Sequence, residues 1–457
     1  LKQDGTIQMR EGKLPLPIQG YRCLCRIALN PRRVEGEPLN NNLLLYAHLY
    51  LVLQWNLMAR TESIAKANYS HFNWNGDCLV VTLPRHKGDP EGLRSYAKHV
   101  YANPDDMLVC PILALGLHVV CTSLKIDNNV FAGSSIDSKF SKWLSTKLHQ
   151  MTEMELGELG VPSINDVGTH SLRKGVATYI AGLVGGANMV SLFIRLGWNL
   201  GNVQQRYLFD GEGSDQVLGR SACGLDINDV SFTTLPPHFD SVNILNHTEW
   251  NEVVPDYLSY PDSFRVALPY LLASVVNAGT WLQTNLPHNH PYFNCAYYRN
   301  QYHHRLAPHV LLGKSKCPTT NMKATGVTPA LALAYRVLQL EQSVQAFTQV
   351  QSDNHNSLTQ ELPHTIVEEI RKHVVIEGMQ PISLEDLNRA LDERINPVLE
   401  RINNGGNVEQ NLALDMNNND EERVRRYPTY YWEGRYHPVP ARYNIPRLVE
   451  KNIGENE

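Results

Sequence analysis

Apolar side chains in the first half of the chain follow two periods, one typical of helices and one typical of strands. The run from Leu51 to Arg60 is almost continuously apolar and predicts a buried helix that ends in a single arginine. Two short strand patterns, 71–74 and 78–83, flank Asn75-Gly76, a dipeptide that favours the tight turn of a β-hairpin. A further strand is expected around Ser95 to Tyr101. These patterns predict a mixed, mainly α fold with a small antiparallel β-sheet.

The second half of the chain has helical patterns separated by polar connections. Helical periodicity occupies about 240–282 and 328–350. Ser383 then begins an N-capped helix with an apolar stripe along one face, which Pro397 breaks or kinks. Such a stripe is typical of a core face, and self-association through it is the alternative. We therefore expect a helical C-terminal region.

Proline positions and changes in composition divide the chain into regions. Prolines between Pro15 and Pro38 predict an irregular start, Pro236-Pro237 mark a boundary, and the Asn-, Gly- and acid-rich stretch 403–422 predicts disorder. The expected regions are an irregular N-terminal segment (1–37), a first globular domain (38–226), a helical C-terminal domain (236–402), a disordered linker (403–426) and an aromatic, basic tail (427–457). The tail suits either base stacking with phosphate contacts or packing onto the helical domain.

Charge is unevenly distributed along the 457 residues, which are enough for two or three domains of about 100–200 residues each. The net charge of −5 argues mildly against a nucleic-acid-binding protein. Residues 1–226, however, carry 22 Lys+Arg and 20 Asp+Glu, a net charge of +2. The remaining residues carry 19 Lys+Arg and 26 Asp+Glu, a net charge of −7. A polyanion would therefore have to be bound by local patches in the first half.

The cysteines and histidines give little indication of a metal. The eight cysteines contain no C-x-x-C pair, so we expect neither a disulfide framework nor a zinc ribbon. A cluster of histidines with one cysteine also matches no zinc spacing: His288, His290, Cys295, His303, His304 and His309. We interpret this cluster as a polar, aromatic packing surface, with a metal site as the alternative. The longest apolar stretches fall short of the roughly 20 clean residues that a membrane span needs. We expect no cofactor, no metal and no membrane association.

Candidate chemistry is concentrated in two segments and one tyrosine. His170 and Arg173 are three residues apart, so on a helix both side chains reach one anion. Leu196-Gly197-Trp198 follows, and Tyr207 comes nine residues after the tryptophan. A guanidinium matches a phosphate bidentately and stays charged at any working pH. A tyrosine hydroxyl ordinarily has a pKa of about 10, so it needs a neighbouring group to accept its proton before it can act as a nucleophile.

These segments resemble the two boxes of the tyrosine recombinases, the phage integrase family. HSLRKGVATY is similar to the family's H-x-L-R-x-x-x-A-T box, and FIRLGWNLGNVQQRYL is similar to the box in which Leu-Gly-His or Leu-Gly-Trp precedes the nucleophile by nine residues. The phrases WNLMAR, HKGD and HVYANPDDMLVCPILALGLHV are most like the Crypton-type recombinases of eukaryotic mobile elements. The resemblance covers roughly residues 20–226 and implies a tyrosine recombinase catalytic domain at 38–226.

The resemblance implies a metal-independent catalytic set: Arg60, Lys87, His170, Arg173, Trp198 and Tyr207. Tyr207 would attack the scissile phosphate to give a 3′-phosphotyrosyl intermediate, with Arg60 and Arg173 on the non-bridging oxygens. Lys87 would protonate the leaving 5′-oxygen, His170 would assist proton transfer, and Trp198 would donate its N–H or pack against the phosphate. The sequence departs from the family after Arg60, because the usual acid three residues on is replaced by Ser63. The interval from Arg173 to Trp198 is also longer than usual, which an insertion around Gly185-Gly186 would absorb.

Most candidate residues have a structural alternative, and Tyr207 taken alone could be a helix residue that packs its ring. Arg60 could be an ordinary helix-end cation and Trp198 a core aromatic residue. His170 could be a buried, hydrogen-bonded histidine, and Lys87 competes with Arg85 and His86.

The resemblance also implies partners and a location. Double-stranded DNA would be the substrate, four protomers would assemble on it, and a eukaryotic protein would act in the nucleus. Because about 40 residues precede the first catalytic helix, we expect no full clamp domain in this chain. A domesticated or truncated DNA-binding protein with the same fold but no strand exchange is therefore the main alternative. A type IB topoisomerase is a distant third.

Overall fold

The chain folds into a mainly helical structure with small antiparallel sheets, as the sequence predicts. A computed structural model describes residues 12–30, 41–83, 96–124, 127–198, 212–241 and 243–356, and beyond these only Arg389 and the strands at 429–432 and 435–438. Packing divides the chain into two units, Leu1–Gln349 and Val350–Glu457. Within the described ranges, every helix is either too short or too polar to cross a membrane.

The first unit contains most of the helices and a three-stranded sheet. In chain order the elements up to the sheet are α1 (Ile18–Leu29), α2 (Asn41–Asn56), α3 (Thr61–Ala65), β1 (Phe72–Asn75), β2 (Cys78–Val81) and β3 (Lys98–Val100). Six helices follow: α4 (Pro111–Cys121), α5 (Ile136–His149), α6 (Glu153–Leu159), α7 (Thr169–Ala181), α8 (Met189–Leu196) and α9 (Glu212–Ala222).

The remaining elements lie beyond the Pro236-Pro237 pair. They are β4 (His238–Phe239), α10 (His247–Val253), α11 (Asp262–Arg265), α12 (Leu268–Asn277), α13 (Gly279–Asn285), α14 (Ala296–Arg299), α15 (Tyr302–Leu306), β5 (Val310–Leu311) and α16 (Pro329–Asn356). The helical patterns predicted at 240–282 and 328–350 therefore correspond to real helices.

Helix α2 is the centre of the first unit. Its residues from Ala47 to Asn56 are buried on all sides, which explains why its sequence is almost uniformly apolar. Trp55 stacks on Tyr21 of α1 with a ring-centroid distance of 4.1 Å, and its indole N–H donates to the carbonyl of Ala222 in α9. Through Trp55, helix α2 thus holds both α1 and α9.

The predicted helix from Leu51 to Arg60 ends earlier than the sequence pattern suggests. Helix α2 stops at Asn56, and Met58 has a φ of 48°, in the left-handed region that a non-glycine residue seldom adopts. The amide of Met58 donates to the carbonyl of Trp55, and that of Ala59 donates to the carbonyl of Gln54. Because these hydrogen bonds close the helix end, the apolar residues 57–59 form a buried turn and Arg60 follows it as the residue before α3.

The N-terminal segment is not irregular throughout, as was predicted for 1–37. Helix α1 occupies Ile18–Leu29, between Pro17 and Pro31. The prolines limit this helix and do not interrupt it, because Pro17 is its N-cap and Pro31 lies beyond its end. The residues before α1 are joined to the rest of the unit by two backbone hydrogen bonds, from Leu14 N–H to Asp166 O (2.8 Å) and from Leu16 N–H to Ser171 O (3.0 Å).

The predicted hairpin forms, but its turn lies one residue later than expected. Strand β1 pairs antiparallel with β2, which pairs antiparallel with β3, giving the order β1-β2-β3. Asn75 is opposite Cys78, so the loop is Gly76-Asp77, with positive φ at Gly76 alone. Asp77 is drawn inward because its carboxylate binds the fully buried Arg220 at 2.5 Å and Thr325 Oγ1 at 2.6 Å. This ion pair outweighs the preference of Asn-Gly for the two turn positions.

One hydrophobic core spans the predicted boundary at Pro236-Pro237. Buried side chains from α2 and α4 share this core with those of α12, and Gly116 of α4 lies against the backbone of Leu271. A Cβ added at Gly116 would lie 2.6 Å from the carbonyl oxygen of Leu271, so only glycine permits this approach. The regions 38–226 and 236–349 therefore pack as one body, although their limits as domains stay a prediction.

The second unit is described only in part. Strand β6 (Thr429–Trp432) pairs antiparallel with β7 (Arg435–Pro438), with Thr429 opposite Pro438. The aromatic tail predicted at 427–457 thus contains a hairpin. Apart from Arg389, the predicted helix at 383–397 and the predicted linker at 403–426 lie outside the described residues. DNA binding by the tail stays a prediction.

Candidate active site

Four of the six predicted catalytic residues lie in the part of the chain that the structure describes. These are Arg60, His170, Arg173 and Trp198, whereas Lys87 and Tyr207 lie outside the described residues. The four described residues come from three places in the fold: the turn after α2, the first turns of α7, and the end of α8.

Arg60 is held by the turn that follows α2. Its backbone is the N-cap of α3, and its carbonyl accepts hydrogen bonds from Ser63 and Ile64. The next residue, Thr61, is fixed twice: its carbonyl accepts from the Tyr50 hydroxyl at 2.7 Å, and its Oγ1 accepts from Gln54 Nε2 at 3.0 Å. Both donors belong to the buried helix α2, so the position of Arg60 follows from that helix. It is not the last residue of α2, which was the structural alternative.

His170 and Arg173 both lie on helix α7, the setting in which a spacing of three residues brings two side chains to nearly the same face. Gly168 is the N-cap of the helix, so His170 is in its first turn, and its side chain is exposed. A buried, hydrogen-bonded core histidine, which was the structural alternative, does not describe this residue. The backbone N–H groups and the dipole of a helix N-terminus favour an anion at this end. Arg173 follows one turn later and is partly buried.

A single amide joins the two halves of the site. Gln54 Nε2 donates to Thr61 Oγ1 and also to the carbonyl of Thr169, each at 3.0 Å. Thr61 follows Arg60 and Thr169 precedes His170, so Gln54 holds the two segments that carry these side chains. Gln54 is 1% exposed and was not predicted as a functional residue. The only signal in the sequence is a polar residue inside an otherwise apolar helix, where buried polar groups require specific partners.

The two guanidinium groups lie close enough for their charges to repel. Burial together with the positive charge of Arg60 lowers the pKa of Arg173 to about 10, so Arg173 remains charged at neutral pH. Arg173 Nη2 donates to the carbonyl of Leu196, at the end of α8. Among the described residues, no carboxylate pairs with either Arg60 or Arg173. Two neighbouring cations without a counter-ion in this part of the chain favour the binding of an anion beside them.

Trp198 is presented at the surface by a glycine turn. Gly197 has a φ of 63° and ends α8, with its N–H donating to Ile194 O and the N–H of Trp198 donating to Phe193 O. The indole is 44% exposed and packs on the Phe193 ring with centroids 5.2 Å apart. The alternative of a core aromatic residue is therefore wrong for Trp198. Arg173 binds the carbonyl of Leu196, and Trp198 follows Leu196 by two residues. The backbone that carries the indole is therefore close to this contact.

Lys98 is a third cation at the site that the sequence analysis did not identify. It lies at the start of β3, and its Nζ donates to the carbonyl of Leu57 at 2.7 Å. Burial and the nearby charges of Arg195, Arg173 and Arg60 lower the pKa of Lys98 to about 7. Beside it, Tyr96, Ser191 and Asp215 contribute to the lining of a small cavity of about 20 Å³. Lys98 can therefore exchange a proton near neutral pH, and it lies close enough to Arg60 and Arg173 to be affected by their charges.

Lys98 also has a structural role at the end of α2. The carbonyls of Asn56 and Leu57 accept from Arg195 Nη2 (2.8 Å) and Lys98 Nζ (2.7 Å), so two cations satisfy the negative end of this helix. Arg195 is fully buried and binds Asp215 Oδ1 at 2.6 Å. Burial by itself would raise the pKa of Asp215, but Arg195 and hydrogen bonds from His99 lower it to about 2. The ion pair joins α8 to α9, and both of its side chains hydrogen-bond the backbone of His99, which fixes β3 and with it Lys98.

The histidine cluster between His288 and His309 contains packed and buried rings in the described structure. The His303 ring stacks on Tyr298 with centroids 4.6 Å apart and an angle of 8°, and His290 is fully buried. Over the residues that the structure describes, no group of three or more His, Cys, Asp or Glu side chains is arranged to hold a metal ion.

Comparison with known proteins leaves the family of the chain open. The sequence matches no known protein family and no curated protein.

The lowered pKa of Lys98 predicts a specific pH dependence of stability. The folded protein binds this proton less tightly than the unfolded chain, whose lysines titrate near a pKa of about 10.4. The contribution of Lys98 to the free energy of unfolding therefore rises as the pH increases from about 7 towards about 10.4, and is constant below that window. We expect the difference in stability between the wild type and Lys98→Met to show this rise in urea denaturation. Lys66→Met is the control, and an equal pH profile for both variants would contradict the assignment.

Proposed function

We propose that this protein is a tyrosine recombinase that cleaves and rejoins double-stranded DNA through a 3′-phosphotyrosyl intermediate. The observation that supports this most is the pairing of Arg60 and Arg173, two neighbouring guanidinium groups without an acidic partner among the described residues. Such a pair suits a phosphodiester, whose transition state carries extra negative charge on the non-bridging oxygens. The motif spacing from His170 to Tyr207 supports the same reaction.

The proposed cleavage step uses five of the six residues of the set, all except Trp198. The phenolic oxygen of Tyr207 forms a bond to the scissile phosphorus while the bond to the 5′-oxygen breaks. The phenol proton passes to His170, whose exposed ring is in the first turn of α7. Lys87 donates a proton to the leaving 5′-oxygen, and Arg60 and Arg173 hold the non-bridging oxygens. The reverse step, with a 5′-hydroxyl from another strand, reseals the DNA without ATP.

Lys98 is a second candidate for the proton donor. A general acid works best when its pKa is near the working pH, and the pKa of Lys98 is lowered to about 7. Its Nζ binds the carbonyl of Leu57, three residues before Arg60. Lys87 lies in the sequence between β2 and β3, and Lys98 is the first residue of β3, so either lysine is a candidate to serve the 5′-oxygen. A change of the leaving atom in the DNA distinguishes the two.

Trapping of a covalent protein–DNA adduct tests the proposed reaction. Since the target sequence is unknown, the substrate is a pool of nicked duplexes randomised around the nick, from which the cleaved oligonucleotide diffuses away. We expect an adduct with the wild type that Tyr207→Phe abolishes and that Tyr257→Phe, a change far from the candidate residues in the chain, retains. Arg173→Lys should reduce adduct formation roughly 10²–10³-fold because a lysine cannot grip two oxygens. Arg299→Lys, which alters an exposed guanidinium, is the matched control.

Two results would contradict this proposal. An adduct that persists in Tyr207→Phe would exclude that residue as the nucleophile. DNA binding in a mobility-shift assay without any adduct would favour the alternative, a DNA-binding protein that keeps the fold but not strand exchange.

A sulfur substitution in the DNA identifies the proton donor. A 5′-thiol leaving group has a pKa of about 8.5 and departs without protonation, whereas a 5′-oxygen requires a proton. The variant that lacks the donor, Lys87→Met or Lys98→Met, should lose cleavage of the oxygen substrate and regain it with the sulfur substrate. The other variant should show the same ratio of rates as the wild type. If neither variant distinguishes the two substrates, a lysine is not the general acid.

A further inference from the structure

Helix α16 carries a line of exposed apolar side chains that the proposed function does not use. Leu333, Leu340, Val344 and Phe347 are each more than 60% exposed, and Val337 is 46% exposed. Singly exposed apolar residues are common, but a continuous line of them on one helix indicates an interaction surface. We call this line the α16 seam and include Ala330, an exposed residue one helical turn before Leu333.

The α16 seam points away from the body of the first unit. Leu331 is buried in the core, and the hydroxyl of Tyr335 donates to the carbonyl of Lys314 at 3.4 Å. At 3.6 residues per turn, Leu331 and Tyr335 lie on the face opposite Ala330, Leu333 and Val337. The helix is therefore attached by one face, while the seam on the other face is uncovered in the described structure.

The spacing of the seam is that of a coiled coil. Its residues are separated alternately by three and four positions, which gives the heptad repeat with a at Ala330, Val337 and Val344 and d at Leu333, Leu340 and Phe347. Amphipathic helices that face a globular core usually have a wider apolar face than this strict pattern. Valine at a with leucine at d favours two parallel strands. The six positions extend over roughly 27 Å of helix at 1.5 Å per residue.

The charges beside the seam agree with the parallel arrangement. In this register Arg336 occupies a g position and Glu341 occupies the e position of the next heptad. In a parallel dimer the g residue of one helix meets that e residue of its partner, so two copies form two Arg–Glu pairs. Both side chains are exposed in the single chain.

We propose that the α16 seam joins two copies of this chain in a parallel, in-register, two-stranded coiled coil. The occupant of the seam is a second copy because one sequence supplies both the heptad core and the complementary g and e charges. The dimer forms without DNA and does not depend on the proposed recombinase function. It would place two protein bodies side by side before any substrate is bound.

Light scattering of the full chain in solution tests the dimer. We expect a mass twice the 51.7 kDa of one chain at high concentration, falling towards one chain on dilution. Leu340→Lys places a charge at a d position and should yield the monomer. Leu338→Lys is the matched control, because Leu338 is apolar and exposed on the same helix but outside the seam. A monomeric wild type at every concentration, or a dimer that Leu340→Lys leaves intact, would overturn the proposal.

Charge reversal and cross-linking test the partner and the orientation. Arg336→Glu and Glu341→Arg should each weaken self-association, and an equimolar mixture of the two variants should form heterodimers. Val344→Cys should form a cross-link between chains on mild oxidation, because equivalent a positions face each other only when the helices are parallel and in register. A cysteine at Gln342, on the outer side of the helix, should not cross-link. Cross-linking at Gln342→Cys in place of Val344→Cys would refute the arrangement.

Discussion

Two like charges held close together are the constraint on which the candidate site depends. Arg60 and Arg173 come from segments more than one hundred residues apart, and their repulsion opposes folding unless other contacts hold them. The described structure supplies these contacts through Gln54, which joins the segments, and the carbonyl of Leu196, which accepts from Arg173. A site arranged in this way is less stable empty than occupied, which is a common property of functional sites.

Helix α2, which carries Gln54, organises both the stability of the fold and the geometry of the site. Helix α2 is buried along most of its length, and its C-terminal carbonyls bind two cations, Arg195 and Lys98. Arg195 is neutralised by Asp215, whereas Lys98 retains a pKa lowered to about 7 because burial and neighbouring arginines disfavour its charge. A structural requirement of one helix end thus leaves a proton-exchanging lysine close to the charges of Arg60 and Arg173.

The sequence predicted the elements better than their ends. The hairpin and α16 follow from turn residues and periodicity, since these depend on local sequence. The end of α2 and the Gly76-Asp77 loop do not, because tertiary hydrogen bonds and the Asp77–Arg220 ion pair decide them. Lys98 and Gln54 also escaped prediction, since their importance comes from neighbours distant in sequence. Lys87 and Tyr207 stay predictions because they lie outside the described residues.

The most direct test of anion binding by Arg60 and Arg173 is thermal unfolding with added sulfate, against sodium chloride of equal ionic strength. We expect sulfate to stabilise the wild type, as a ligand of the folded state does, and Arg60→Gln to abolish this effect. Without sulfate, Arg60→Gln should be at least as stable as the wild type because it relieves repulsion, whereas the control Arg299→Gln should respond to sulfate normally. Equal stabilisation of the wild type and Arg60→Gln by sulfate would contradict the convergence of Arg60 and Arg173 on one anion.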